Sequence, residues 1–237
     1  MAVDRAVILA GGRGSRLRPY TTVLPKPLLP IGDRAILDIV VRQLAACGVP
    51  AITIATGYLA HLVRAVFGDG ADYGVRIDYH EEPEPLGTAG PLAAIDGLDS
   101  TFLAMNGDIL TTLDPRELVA AHTSAGNAMT IAGSTRTVRA DYGVMRLDGD
   151  QRLAGYDEKP ESHVVVSMGI YVLEPAALAH VPAGEHFDIP DLVHALMAAG
   201  EPVGAHVHDG YWRDIGRHDD YEEAQAEIDE MLPRLLP

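Results

Sequence analysis

The chain has one cysteine, Cys47, in 237 residues, which excludes internal disulfides and cysteine-cluster metal sites. That scarcity fits a reducing, cytoplasmic setting. No apolar run approaches the roughly 20 residues of a membrane span, and the opening MAVDRAVILAGG lacks the layout of a secretory signal. Basic residues are scarce: 18 Lys and Arg stand against 34 Asp and Glu, a net charge of −16. Neither nucleic acid nor an anionic membrane is therefore an expected partner. No repeat of about 20–50 residues recurs, and no Ser/Gly/Pro-rich linker divides the chain. What remains is ordinary for a globular protein, with 47 % hydrophobic and 22 % charged residues. At about 150 residues per domain, one domain whose second half adds a small lid-like β region is expected over 1–237.

The charge is unevenly placed. Residues 1–42 hold seven basic side chains (Arg5, Arg13, Arg16, Arg18, Lys26, Arg34, Arg42) against Asp4, Asp33 and Asp38, a surplus of four, so the remainder carries −20. No carboxylate lies between Asp4 and Asp33. A local positive stretch on an acidic protein points to a small polyanion as ligand.

Periodicity sets the coarse organisation. RAVILA (5–10) reads as a buried strand ended by glycines. Helical spacing follows over 34–47, a strand over 51–55, a helix over 58–67, a strand over 75–80, a helix over 88–96, a strand over 101–105 and a helix over 115–124. Asp114 and Pro115 begin that last helix as N-cap and first helical residue. This rhythm implies βαβ units and a mostly parallel sheet. The second half predicts a hairpin over 143–147 and 152–156 around Asp148-Gly149-Asp150, a strand over 164–173, helices over 188–199 and 217–231, and a strand over 203–207 between them. Cys47, in a helix of small apolar residues, is expected in the core. His206 and His208 fall on one face of a strand but lack a third metal ligand. The acidic run of the final helix reads as a solvated face.

The strongest motif is LAGGRGSRLRPYTTVLPKPLLPIG, residues 9–32. Glycines directly after a strand let backbone N–H groups approach a phosphate chain, and Arg13, Arg16 and Lys26 add charge-assisted hydrogen bonds. The loop is neither of two familiar kinds: GxxxxGK[ST] is absent, and Leu17 stands where GxGxxG needs its last glycine.

The chain resembles the sugar-1-phosphate nucleotidyltransferases. Gly11, Gly12, Gly14, Ser15, Arg16, Leu17, Pro19, Thr21, Lys26 and Pro27 match the signature GGxG[ST]RLxPxT followed by KP. Gly87-Thr88, Asn106-Gly107-Asp108, Tyr142-Gly143, Glu158-Lys159-Pro160 and Trp212-Arg213-Asp214 continue the likeness over residues 3–222. The resemblance implies a three-layer, Rossmann-like α/β fold that joins a nucleoside triphosphate to a sugar 1-phosphate and releases pyrophosphate. Leu9, Ala10, the loop residues, Glu82, Pro85, Gly87, Thr88 and Asn106 would hold the nucleotide. Gly143, Glu158, Lys159, Gly169 and Trp212 would hold the sugar phosphate. Asp108 and Asp214 would share Mg²⁺, which takes one or two carboxylates plus phosphate oxygens and water. Arg16, Lys26, Asp108 and Lys159 are the expected catalytic set. Some members continue into a left-handed β-helix, and the seven residues MLPRLLP after the last helix carry none. A homo-oligomer is compatible with this reading.

EPLGTAGPL (84–92), preceded by Glu82, is similar to the mannose-1-phosphate and heptose-1-phosphate guanylyltransferases. Thymidylyltransferases tend to carry Gln at the Glu82 position. An amide suits thymine, whereas guanine offers two adjacent donors that one carboxylate accepts. GTP is the expected donor. The alternatives are a thymidylyl-, uridylyl-, adenylyl- or cytidylyltransferase, a non-catalytic nucleotide-sugar-binding homologue, or a glycosyltransferase, which would need a DxD where this chain has Asn106-Gly107-Asp108.

Overall fold

A computed structural model describes residues 3–236. The elements are β1 (Arg5–Ala10), β2 (Pro30–Ile31), β3 (Arg34–Ala35), α1 (Ile36–Ala46), β4 (Ala51–Thr56), α2 (Ala60–Phe67), β5 (Arg76–Glu81), α3 (Gly90–Ala94), β6 (Phe102–Asn106) and β7 (Ile109–Thr111). They continue with α4 (Pro115–Ala125), β8 (Met129–Arg139), β9 (Val144–Leu147), β10 (Leu153–Asp157), β11 (Glu161–Leu173), α5 (Ile189–Ala199), β12 (Val203–Val207), β13 (Trp212–Asp214) and α6 (His218–Leu235).

Seven strands form the central sheet in the order β12-β8-β11-β6-β1-β4-β5. The pairs β1–β4, β4–β5, β1–β6 and β8–β12 are parallel, and β11 runs antiparallel to both β6 and β8. The sheet is thus parallel except for one strand, as the strand–helix rhythm implies. Among the described residues no helix is long and apolar enough to cross a membrane.

Two apolar clusters cover the sheet, one under α1, α2 and α4, the other under α3 and α5. A third lies apart from it. There Tyr221, Ala224, Ile228, Met231 and Leu235 of α6 pack on Leu17, Leu29, Ile31, Ile36 and Ile39. This cluster supports the irregular segment between β1 and α1. Polar bonds reinforce it: Tyr221 Oη and Gln225 Nε2 donate to the Pro30 carbonyl, and the Gly32 amide donates to Gln225 Oε1.

Two expectations change, and one strand is new. Residues 129–139 form the eleven-residue β8, which periodicity does not reveal. Its first half is buried in the sheet, and its second half, with the start of β11, leaves the core as an exposed two-stranded arm. Cys47 is half-buried at the end of α1 rather than in the core, 3.8 Å from Asp114 Oδ1, and burial raises its thiol pKa. The acidic face of α6 is not wholly solvated, because Glu223 and Glu227 both bind Arg213. The hairpin stands as read, with Asp148 closing its turn by accepting from the amides of Asp150 and Arg152. His208 contacts the Thr112 hydroxyl.

Asp38 fixes the start of α1. Its carboxylate accepts from Arg34, Arg42 and the Tyr73 hydroxyl at 3.1, 2.9 and 2.9 Å. Burial alone would raise its pKa, but the bonds from Arg42, Tyr73 and Arg34 hold it below the ordinary value. Burial and the bond to Asp38 push Tyr73 up to about 12, so it stays a donor. Because the folded value is depressed, this stabilisation is present above the unfolded aspartate value of about 3.9 and is lost as pH falls through the folded one. D38A should cost about 2 kcal/mol in urea unfolding at pH 7, with the gap to wild type narrowing below about pH 4. A gap that stays constant to pH 3 would show that the carboxylate charge is not what matters.

Candidate active site

Open α/β sheets bind ligands beyond the carboxyl ends of their parallel strands. Here β1 ends at Ala10 and β6 at Asn106, side by side, with Leu9 opposite Asn106. The turn after β1 and the turn after β6 therefore face one cleft of about 500 Å³. It is lined by Leu9, Ala10, Gly11, Gly12, Gly14, Ser15, Arg16, Lys26, Glu82, Pro85, Gly87, Thr88, Asn106 and Asp108, all named above from the sequence. Arg13, Pro27, Gly107 and His186 complete the lining.

The turn is anchored from below. The Gly14 carbonyl accepts from the Leu17 amide and the buried Thr21 hydroxyl at 2.9 and 2.8 Å. From behind, the Gly57 backbone backs onto Gly11, and a Cβ at 57 would stand 2.9 Å from the Gly11 carbonyl oxygen.

Lys26 forms an ion pair with Asp108, both side chains being mostly buried. The pair uses Asp108 Oδ2, while Oδ1 is buried without a partner. Asp214 belongs to the same centre. It ends β13, where it pairs in register with Ile109, and the following amide of Ile215 donates to the Asp108 carbonyl at 3.1 Å. Asp214 does not itself line the cleft; desolvation, and then the Asp108 charge, raise its pKa, while Lys26 and Arg16 pull it back. The Asp108 carboxylate beside Asp214, with one buried Asp108 oxygen lacking a donor, is an arrangement that a bound cation would satisfy. Among the described residues no group of three or more His, Cys, Asp or Glu could hold a metal ion. The donor set suits Mg²⁺, which completes its coordination with substrate oxygens and water.

On the opposite side of the cleft, Glu82 Oε2 accepts from the Leu86 amide at 3.1 Å, and Oε1 lies where a Cβ of residue 11 would point. Burial raises the Glu82 pKa, and the Leu86 bond and His80 partly offset this. The Thr88 hydroxyl does not face the cleft as a free group. It donates to Asp188 Oδ1 and accepts from the Ile189 amide.

None of the residues expected to hold a sugar phosphate lines the cleft. Gly143, Glu158 and Lys159 flank the exposed β9–β10 hairpin and do not line the cleft. Gly143 packs on the Tyr156 ring, whose hydroxyl donates to Glu158, and exposed Lys159 adopts φ 45°. Gly169 touches Asn106 at a bulge in β11. Trp212 is committed within the fold: its indole N–H donates to the Met168 carbonyl at 3.1 Å, and the Arg136 guanidinium lies 4.7 Å from the ring centroid. His186 and Asp188 carry no motif signal, and only the folded chain brings them to the Glu82–Thr88 side of the cleft.

The backing of the turn by Gly57 can be tested. G57A should fold, push the 11–14 turn forward, and weaken inorganic pyrophosphate binding about fivefold by calorimetry. Unchanged affinity would mean that the turn does not hold phosphate.

The model of the family described as "Nucleotidyl transferase" matches residues 5–231. A mannose-1-phosphate guanylyltransferase of Mycobacterium tuberculosis is 32 % identical over 94 % of this chain and 64 % of its own. A UTP–glucose-1-phosphate uridylyltransferase of Synechocystis is equally identical over 93 % of this chain and 62 % of its own. The chain thus spans less than two thirds of the length of these curated relatives. Among solved structures, HddC from Yersinia pseudotuberculosis complexed with GMP-PN superimposes with a TM-score of 0.73 at 25 % identity, covering 95 % of this chain and all of that one. With the family model spanning almost its whole length, the chain belongs to the nucleotidyl transferase family.

Proposed function

We propose that the chain transfers a nucleotidyl group from GTP to a sugar 1-phosphate of mannose or heptose type, releasing pyrophosphate. The observation that carries this is the Lys26–Asp108–Asp214 centre at the lip of a glycine-walled cleft. Arg13 and Arg16 line that cleft without an ion pair among the described residues.

The chemistry requires no protein nucleophile. An oxygen of the sugar phosphate forms a bond to the α-phosphorus, and the bond from that phosphorus to the bridging oxygen breaks, with the electron pair leaving on pyrophosphate. The attacking oxygen is already anionic, so no general base is needed. The obstacle is the repulsion of two anions and the charge that gathers on the leaving group. Backbone N–H groups of the Gly11–Gly14 turn hold the triphosphate. Arg16 and Lys26 neutralise it, and Asp108 orients the Lys26 ammonium. Asp108 and Asp214 would hold Mg²⁺, which would supply further positive charge to the phosphates. Lys159 and Glu158, beside the β9–β10 hairpin, are assigned to the sugar's phosphate and hydroxyls, and Gly143 and Gly169 to close backbone approach.

The guanine assignment rests on Glu82, an acceptor for two adjacent donors, and agrees with the mannose-1-phosphate guanylyltransferase relatives. The Synechocystis relative supports a second reading, uridylyl transfer to glucose 1-phosphate. Five nucleoside triphosphates assayed against mannose, glucose and heptose 1-phosphates for pyrophosphate release separate the two. GTP is expected to be the best donor, and a preference for UTP overturns the guanine assignment.

The Glu82 carboxyl titrates above the ordinary glutamate value. Its ionised form, which accepts from guanine, is present above that raised pKa and disappears as pH falls through it. KM for GTP should therefore rise on the acid side in wild type, and E82Q should lack that rise and discriminate less against UTP. Identical acid limbs in the two proteins would remove Glu82 from base recognition.

A further inference from the structure

The 185–189 segment is joined to the base side of the cleft more closely than packing requires. The Phe187 amide donates to the Leu86 carbonyl at 2.9 Å, and the Phe187 carbonyl accepts from the amides of Ala89 and Gly90 at 2.9 and 3.0 Å. Asp188 Oδ1 accepts from both the Thr88 amide and its hydroxyl, at 2.9 and 3.0 Å. Gly87 fits only because it is glycine. It adopts φ +82°, and a Cβ there would stand 2.6 Å from the Phe187 carbonyl oxygen and 2.8 Å from Asp188 Oδ1. His186, immediately before this stitch, is exposed and lines the cleft beside Glu82, Pro85 and Gly87. Its imidazole takes no part in the stitch, which uses backbone atoms and the side chains of Asp188 and Thr88.

We infer that this segment is the second wall of the nucleotide pocket, in which the His186 ring contacts the base and Asp188 positions the 85–88 turn. The inference rests on the nucleotide reading of the cleft and extends it to residues outside the glycine-loop motif. A flat ring with an N–H donor is the kind of group that takes a nucleobase, by its face or by its edge. The position of His186 puts it at the base end, since the phosphate end is occupied by the Gly11–Arg16 turn, Lys26 and Asp108. Asp188 also begins α5 in a capping box with Asp191, so the helix holds the carboxylate against Thr88.

Two probes separate base contact from phosphate contact: GMP, which has a base, and inorganic pyrophosphate, which has none. Calorimetry on H186A should show GMP bound about tenfold more weakly and pyrophosphate bound as by wild type. D188A should weaken GMP in the same way, and D188N, whose amide oxygen accepts the same two bonds, should restore it. In turnover, KM for the nucleotide should rise more than kcat falls, with KM for the sugar phosphate unmoved. If D188A does not fold, H186A still decides, because its side chain is outside the stitch. Wild-type GMP affinity in H186A, or equal loss of both probes, overturns this inference alone. A wild-type chain that binds neither probe overturns the nucleotide reading and this inference with it.

Discussion

The site depends on an ammonium and a carboxylate held together where little water reaches them. Burying Lys26 or Asp108 singly would cost several kcal/mol, and paired they neutralise each other. The pairing is incomplete, because Asp108 keeps one buried oxygen without a donor and Asp214 adds a second negative group beside it. A centre with surplus negative charge and an unused oxygen is suited to a cation, and a cation next to Lys26 and Arg16 is suited to phosphate. On a chain of net charge −16 this local arrangement, not the overall field, is what can hold a polyanion.

Much of the architecture serves that centre. Adjacent parallel β1 and β6 bring the glycine turn and Asn106-Gly107-Asp108 to one edge. The short antiparallel pair β7–β13 delivers Asp214 to the same edge. Lys26 lies in the long irregular segment between β1 and α1, where no ladder fixes it. The cluster built by α6, with the bonds from Tyr221 and Gln225, gives that segment a floor. The C-terminal helix is thus a support for the opening loop, two hundred residues away in sequence.

The parallel half of the fold was legible because its signals are local. RAVILA is an uninterrupted apolar run, helices carry 3.6-residue spacing, and Asp114-Pro115 marks a helix start that the structure reproduces, with Asp114 accepting from the Arg116 amide. The grouping of the loop, the lysine and Asn-Gly-Asp was legible for a related reason: they form compact motifs, and their residues line one cleft. What was hidden depends on partners distant in sequence. β8 begins buried and ends exposed, so MTIAGSTRTVR shows no single period. β13 is three residues long and exists only because β7 pairs with it. Trp212, which the resemblance assigns to the sugar phosphate, has its N–H on the Met168 carbonyl and its ring face under Arg136, contacts that no local pattern announces. Asp188 meets Thr88 across a separation of 100 residues, which no local pattern announces.

The most direct test of the central claim is Mn²⁺ binding, followed by electron paramagnetic resonance in the presence of a non-hydrolysable GTP analogue. The wild-type chain should take up one ion, and D108N and D214N should each weaken it at least about tenfold. Wild-type Mn²⁺ affinity in both variants would contradict the account, because the unpartnered oxygen of Asp108 and its neighbour Asp214 would then not be the cation site.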